Sequence, residues 1–307
     1  MVHAIFGTDD WGVKENFLIQ EGSNYKLKEE FNTQRKVENY FTDKPFADTD
    51  PKIKQGLFDL VSNVIFFEEE GSLGQLFHFR INMEQTLSYQ TLDDYTKHQL
   101  WELYINYFYQ RQDDLWRKKA MQKLPGLKSS TNMLVCGEDL GMVPHCVPDV
   151  MNELGILSLE IQRMPKEVRL EFSHPGNAPY LSVITPSTHD MSTLRGWWEE
   201  DPGKTQHYYN NILGHDGKAP VYCEAYLNKE IVQQHLYSPA MWSIFQLQDI
   251  LGMSATLRRQ NPNDERINLP SNPKNHWKYR MHLSLEDLIN QTEFNDELKN
   301  IVTASRR

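Results

Sequence analysis

From Met133 onward the chain alternates short apolar runs with amphipathic stretches, and this alternation constrains the fold more than any other feature. Strand, helix, strand repeated at such spacing is the pattern of parallel β/α units, because parallel strands need a crossover between them. Strands are expected at residues 133–136, 156–161, 181–185 and 243–247. That is about four, where a closed barrel needs eight. Between them Val147, Val150, Met151 and Leu154 recur at helical spacing, with Pro148 in the first turn and Gly155 at the stop. Residues 205–213 and 228–235 also read as helices.

Two of these strands end on acid. Leu134-Val135-Cys136 runs into Gly137-Glu138-Asp139-Leu140-Gly141, and Ser182-Val183-Ile184-Thr185 runs into Pro186-Ser187-Thr188-His189-Asp190. Parallel α/β folds place their chemistry at the carboxyl ends of strands, so two carboxylates shown there fit acid/base or glycosyl-transfer chemistry. Glu138, one residue past its strand and flanked by apolar chain, is expected to be desolvated, which favours the protonated form a general acid needs. Asp190, beside His189, is expected to stay ionised and to stabilise positive charge on a sugar ring. A structural reading stands beside this one, in which Glu138 or Asp139 caps the following helix or pairs with an arginine.

The front of the chain is different in texture. Residues 26–41 mix Lys, Glu and Asn with scattered apolar positions and read as an exposed helix; residues 57–67 read as helix first and extended chain at the end. Glu68-Glu69-Glu70 is expected to be a solvated turn. Phe79-Arg80-Ile81-Asn82 resembles an Arg-x-Asp nucleophile pattern, but Asn cannot act as a carboxylate, so a turn into the next helix is expected. Residues 91–124 carry the clearest helical signal. Thr91 and Asp94 form a capping-box-like start, Leu100, Leu103, Tyr104, Tyr107 and Phe108 make a buried stripe, Leu115 and Trp116 extend it, and Leu124-Pro125-Gly126 ends it. The expected division is a mostly helical region, 1–130, followed by a β/α region, 131–307.

Composition excludes several classes. A net charge of −10 argues against a phosphate-binding surface. No apolar run approaches the roughly 20 residues of a membrane helix, and the first ten residues do not read as a secretory signal. The three cysteines, Cys136, Cys146 and Cys223, have no C-x-x-C spacing, which gives neither a zinc site nor a disulfide framework and fits the reducing cytoplasm. Cys136, inside an apolar run, is expected to be a buried structural thiol. No ligand spacing implies a metal or cofactor. Fourteen Tyr, fourteen Phe and seven Trp supply either sugar platforms or an aromatic core.

Four ordered segments carry a resemblance. They are Cys136-Gly137-Glu138-Asp139-Leu140-Gly141, the run from Ser187-Thr188-His189-Asp190 to Gly196-Trp197-Trp198, Arg266-Ile267-Asn268-Leu269-Pro270, and Asn275-His276-Trp277-Lys278-Tyr279-Arg280. Together they resemble the amylomaltase-type 4-α-glucanotransferases. The segments around Gln110–Lys118 and Ile161–Pro165 are similar to the long subtype of the plant cytosol and some bacteria. The resemblance, from about residue 15 to the end, implies the C-terminal half of a (β/α)8 barrel, about strands five to eight, preceded by a mostly helical excursion. It implies retaining transfer of α-1,4-glucan segments between maltooligosaccharides or to glucose and glycan acceptors. The catalytic roles it implies are Glu138 as acid/base and Asp190 as transition-state stabiliser. His189, Asn268 and Trp277 would bind sugar, and Asp139 would orient the Glu138 loop.

The family's Arg-x-Asp nucleophile falls before the region corresponding to residue 1. The chain is therefore expected to be a C-terminal part that needs the missing barrel half, to be inactive alone, and to be poorly soluble because half a barrel leaves two sheet edges unpaired. An α-glucan hydrolase and an inactive carbohydrate-binding remnant are the alternatives. Neither nucleic acid nor membrane is expected as a partner.

Overall fold

The computed structural model describes residues 2–7, 10–42, 50–167 and 169–307, which form a mixed helix and sheet protein. The chain divides into two compact units, Met1–Gln112 and Asp113–Arg307.

The first unit is built on helices and two antiparallel hairpins. Strands β1 (Leu18–Glu21) and β2 (Asn24–Leu27) pair through a turn in which Gly22 takes φ +64°. Residues 26–41 accordingly begin as strand, pass through a short 3-10 turn, and become helical only at Gln34–Thr42. That helix packs with Asp50–Ser62 over a core of Phe6, Val13, Phe17, Leu18, Phe31, Val37 and Leu57. The expected switch from helix to extended chain occurs: Asp50–Ser62 is followed by β3 (Phe66–Glu68), which pairs with β4 (Phe77–Phe79). Glu68, Glu69 and Glu70 are exposed, and Glu69 meets His78 at 3.0 Å. Asn82 sits in the left-handed region at φ 57° and leads into a 3-10 turn, as a turn entering a helix should.

The long helical signal is divided. Helix Asp94–Asn106 is capped by Asp93, whose carboxylate accepts the Thr96 N–H at 2.9 Å, in place of the expected Thr91 start. A π-helical turn, Tyr107–Arg111, follows. Gln112–Ser129 then runs straight through Pro125, where the chain was expected to stop, since a proline near a helix end forfeits few backbone bonds. Of the expected stripe only Tyr104 is buried; Leu103, Leu115 and Trp116 are exposed, because the aromatic rings here pack mainly on one another.

The second unit carries a parallel sheet: β5 (Ser158–Ile161), β6 (Ser182–Thr185) and β7 (Trp242–Ser243), adjacent in sequence order. A parallel bridge from Cys136 to Leu157 adds a fourth segment beside β5, held by Gly137 N–H to Leu157 O (2.8 Å) and Leu157 N–H to Val135 O (3.0 Å). The expected buried strand at 133–136 thus shrinks to this bridge, with Met133 75% and Leu134 51% exposed. Lying at the sheet edge, the segment has a described strand on one side only. Cys136 is exposed for the same reason, which corrects the expectation of a buried thiol; Cys146 and Cys223 are the buried ones. The expected last strand, 243–247, is two residues long and one residue earlier, Trp242–Ser243, and helix Leu247–Leu251 starts where that strand was expected to end.

Helix Val147–Leu154 has proline in its first turn and ends on Gly155 at φ +60°, a left-handed cap that glycine adopts without strain. Helices Leu194–Glu200, Pro202–Asn211 and Ala225–Leu236 supply one core around Trp198, Tyr208, Leu227 and Ile231. Val232, Leu236, Leu251, Met253, Phe294 and Ile301 form another, closed by helix Thr292–Ala304. No described helix is long and apolar enough to cross a membrane.

Candidate active site

Because the four extended segments run parallel and adjacent, the loops that follow them leave from the same carboxyl end of the sheet. Glu138 lies on the loop after the Cys136 bridge, and Asp190 on the loop after β6.

The second of these loops gathers four of the five expected residues. Asp190 Oδ1 accepts a hydrogen bond from Asn268 Nδ2 at 2.7 Å, and its Oδ2 lies 3.1 Å from His189 Nε2. The Asn268 amide cannot turn freely, since its Oδ1 accepts a bond from Asn275 Nδ2 at 2.9 Å and its NH2 therefore faces Asp190. Arg266 fixes the same segment by donating to the Asn268 carbonyl at 2.9 Å and to Ser192 Oγ at 3.0 Å. Trp277 stands 4.8 Å from the His189 ring, tilted by 44°, with 60% of its surface exposed. The result is a carboxylate with the Asn268 amide on one oxygen and the His189 ring beside the other, next to an open aromatic face. Such a group can stabilise a developing positive charge, and the indole offers a platform for a pyranose ring.

Glu138 stands apart from those four. Its Oε1 accepts the Leu140 N–H of its own loop at 2.8 Å, and it forms no hydrogen bond or ion pair with Asp190, His189, Asn268 or Trp277 among the described residues. It is exposed, against the expectation that its apolar flanks would desolvate it, because the residues before it lie on the open side of the sheet. Its neighbour Asp139 is 4% exposed and anchors the loop: Oδ1 accepts the Leu159 N–H of β5 at 2.9 Å, and Oδ2 meets Lys166 at 2.7 Å. Lys166 also reaches Glu160 at 2.7 Å. Asp139 thus neither caps a helix nor pairs with an arginine; it ties the Glu138 loop to the next strand.

Sequence reasoning did not single out two charged groups that hold the Asp190 loop. Arg163, after β5, donates to the carbonyls of Pro186 (3.0 Å) and Ser192 (2.7 Å). Asp249, 1% exposed after β7, accepts the Leu194 N–H at 2.8 Å and the Ser187 hydroxyl. Asp249 is itself a carboxylate just beyond a parallel strand, so the rule that drew attention to Glu138 and Asp190 applies to it. No group of His, Cys, Asp and Glu among the described residues is arranged to hold a metal ion.

A protein family described as 4-alpha-glucanotransferase, glycoside hydrolase family 77, matches residues 12–285. The 4-alpha-glucanotransferase DPE2 of rice, Oryza sativa subsp. japonica, is 39% identical over 307 residues, covering 98% of this chain and 32% of its own length. The 4-alpha-glucanotransferase of Chlamydia trachomatis serovar D is 31% identical over 185 residues, or 57% of this chain and 33% of that protein. Among solved structures, amylomaltase from Streptococcus agalactiae in complex with acarbose superposes with a TM-score of 0.47 at 20% identity, over 61% of this chain and 35% of that one. The chain spans about a third of the length of the curated relatives it matches. By the match over residues 12–285, it belongs to the glycoside hydrolase family 77 of 4-alpha-glucanotransferases.

Proposed function

We propose that this chain supplies the acid/base half of a retaining 4-α-glucanotransferase that moves α-1,4-glucan segments between maltooligosaccharides or to glucose and glycan acceptors. The four parallel segments then correspond to strands five to eight of a (β/α)8 barrel, with residues 131–307 as its C-terminal half. Residues 1–130 are a mostly helical excursion between strands four and five. The nucleophile and the first barrel half come from outside these residues, and the cytoplasm is the compartment.

In the first displacement Glu138 protonates the glycosidic oxygen as the leaving glucan departs, while the carboxylate nucleophile bonds to the anomeric carbon. Asp190 stabilises the positive charge on the ring in both transition states. Glu138, now a carboxylate, then takes the proton from the acceptor hydroxyl as that oxygen displaces the enzyme carboxylate. Two inversions leave the α configuration intact. Asn268 and His189 keep the Asp190 oxygens directed at the ring, Trp277 stacks on a neighbouring glucose, and Asp139 holds the Glu138 loop to β5.

The observation that carries this reading is the Asp190 carboxylate, held by the Asn268 amide and flanked by His189 beside an open tryptophan face. The complete protein, incubated with maltotriose and isotopically labelled glucose, should place the label at the reducing end of maltose and longer chains. Release of reducing ends to water with no label incorporated would mean a hydrolase. Calorimetric binding of maltotriose with no turnover would mean an inactive binder.

A further inference from the structure

Two charged side chains from different elements grip the Asp190 loop at both ends. Arg163, on the turn after β5, donates from Nε to the Pro186 carbonyl at 3.0 Å and from Nη2 to the Ser192 carbonyl at 2.7 Å. Asp249, in helix Leu247–Leu251 after β7, accepts the Leu194 N–H at 2.8 Å and the Ser187 hydroxyl. These contacts bracket residues 186–194, and His189 and Asp190 lie between them. Near its start the Ser187 carbonyl accepts the Thr185 hydroxyl at 2.8 Å, but around Asp190 the described backbone bonds are long: Asp190 N–H reaches Thr188 Oγ1 at 3.4 Å, and Met191 N–H reaches the Thr188 carbonyl at 3.2 Å.

We propose that Arg163 and Asp249 are positioning residues that brace the loop at both ends and thereby set where the Asp190 carboxylate meets the sugar. This rests on the transferase reading of Asp190 given above.

The chemistry of the two groups is matched to what the loop presents. A guanidinium only donates, which suits the paired carbonyls, and the two Asp249 oxygens each face a donor, the Ser187 hydroxyl and the Leu194 amide. The planar fork of Arg163 spans two carbonyls six residues apart in sequence, which a lysine ammonium cannot reproduce in the same geometry. Its guanidinium also lies 5.1 Å over the Trp197 ring, which fixes its plane. Burying charge is costly, and Asp249 is 1% exposed. Burial pushes Asp249 up to about 7 against the opposing Leu194 N–H and Arg163 charge, and pulls Arg163 down to about 10, so Arg163 remains a cation at neutral pH. Neither residue appears in a contact with Asp190 itself, so their influence passes through the backbone they hold.

Arg163→Lys, Asp249→Asn and the milder Ser187→Ala, made in the complete protein, test the brace. Maltotriose disproportionation gives kcat and KM per folded molecule, and deuterium uptake of the 188–192 amides gives the order of the loop. Arg163→Lys and Asp249→Asn are expected to lower kcat by roughly a hundredfold, the order of magnitude that follows from a displacement of about 1 Å. KM should stay within about threefold, and the loop amides should exchange faster. Ser187→Ala should show a smaller effect of the same kind. Val37→Ala, a core change on helix Gln34–Thr42 whose cluster includes no residue of 186–194, is expected to lower stability without altering kcat or loop exchange. Losses in the brace variants no larger than in Val37→Ala, or loop exchange unchanged in both Arg163→Lys and Asp249→Asn, would overturn the proposal. If the parent protein shows no transfer at all, exchange still decides: a loosened loop supports the brace while the transferase reading fails.

Discussion

Arg195 and Glu265 form a pair whose side chains are 6% and 2% exposed, with Nη1 and Oε1 2.6 Å apart. Arg195 also donates to the carbonyls of Arg259 (2.8 Å) and Gln260 (3.4 Å), and Glu265 accepts the Arg259 N–H at 3.3 Å. The pair therefore joins helix Leu194–Glu200, directly after the Asp190 loop, to the segment that leads to Asn268. Arg195→Met strips Glu265 of its cation and two carbonyls of their donor. Removing one partner of a buried pair costs about 3–5 kcal/mol, because the other charge is left uncompensated. Glu265→Leu should cost a similar amount for the converse reason. The double variant leaves no orphaned charge, so its loss should fall short of the sum of the singles by about 2 kcal/mol or more. Urea unfolding at several temperatures measures all four proteins. Each single change should also lower Tm by about 10 °C, from roughly 2–4 °C per kcal/mol in a unit of this size. Single variants within about 1 kcal/mol of the parent, or a double variant equal to the sum, would refute the reasoning.

Two further outcomes follow from buried groups. His235 is fully buried, donates from Nδ1 to the Ile231 carbonyl at 2.8 Å, and has no hydrogen-bond partner at Nε2 among the described residues; burial pulls it down to about 4. Its folded value lies below the unfolded 6.5, so the unfolded chain binds the proton first. The stability it supports is present above about 6.5 and is lost as pH falls toward 4, by about 2 kcal/mol between pH 7 and 5. Asp249, raised to about 7, titrates in the opposite sense, so the diagnostic is the difference between parent and His235→Leu in urea midpoints at the two pH values. Parallel pH dependence in the two proteins would exclude the assignment. For Asp139→Ala, the Leu159 N–H loses its acceptor while Lys166 keeps Glu160, a cost of about 2–3 kcal/mol. Asp139→Asn should recover about 1 kcal/mol of that in calorimetry, and both should lower kcat by releasing the Glu138 loop.

The β/α region was readable because burial and periodicity agree there. Val183 and Ile184 lie in a strand buried at every position, and Pro148 and Gly155 punctuate a helix at the places their backbone preferences dictate. The hairpins of the first unit were not read, since β1 to β4 are three or four residues long and largely exposed, which leaves no alternation to detect. The Glu21-Gly22-Ser23-Asn24 turn was the available signal for the first of them. The aromatic run from Trp101 to Trp116 misled because its rings satisfy one another while leaving much of their surface open. At the site, the contacts among His189, Asp190, Asn268 and Trp277 follow motifs visible in the sequence. Asp249 and Arg163 act on backbone groups far away in sequence, and only the folded chain displays those partners.

In the proposed reaction Glu138 and Asp190 have different duties, and a donor that needs no protonation separates them. With α-maltosyl fluoride in place of maltotriose, the complete protein carrying Glu138→Gln should form the glycosyl-enzyme at a rate close to the parent, although it is nearly inactive on maltotriose. Asp190→Asn should lose both substrates, because the positive ring is common to both reactions. Glu138→Gln losing fluoride and maltotriose equally, or Asp190→Asn retaining parental rates, would contradict the assignment.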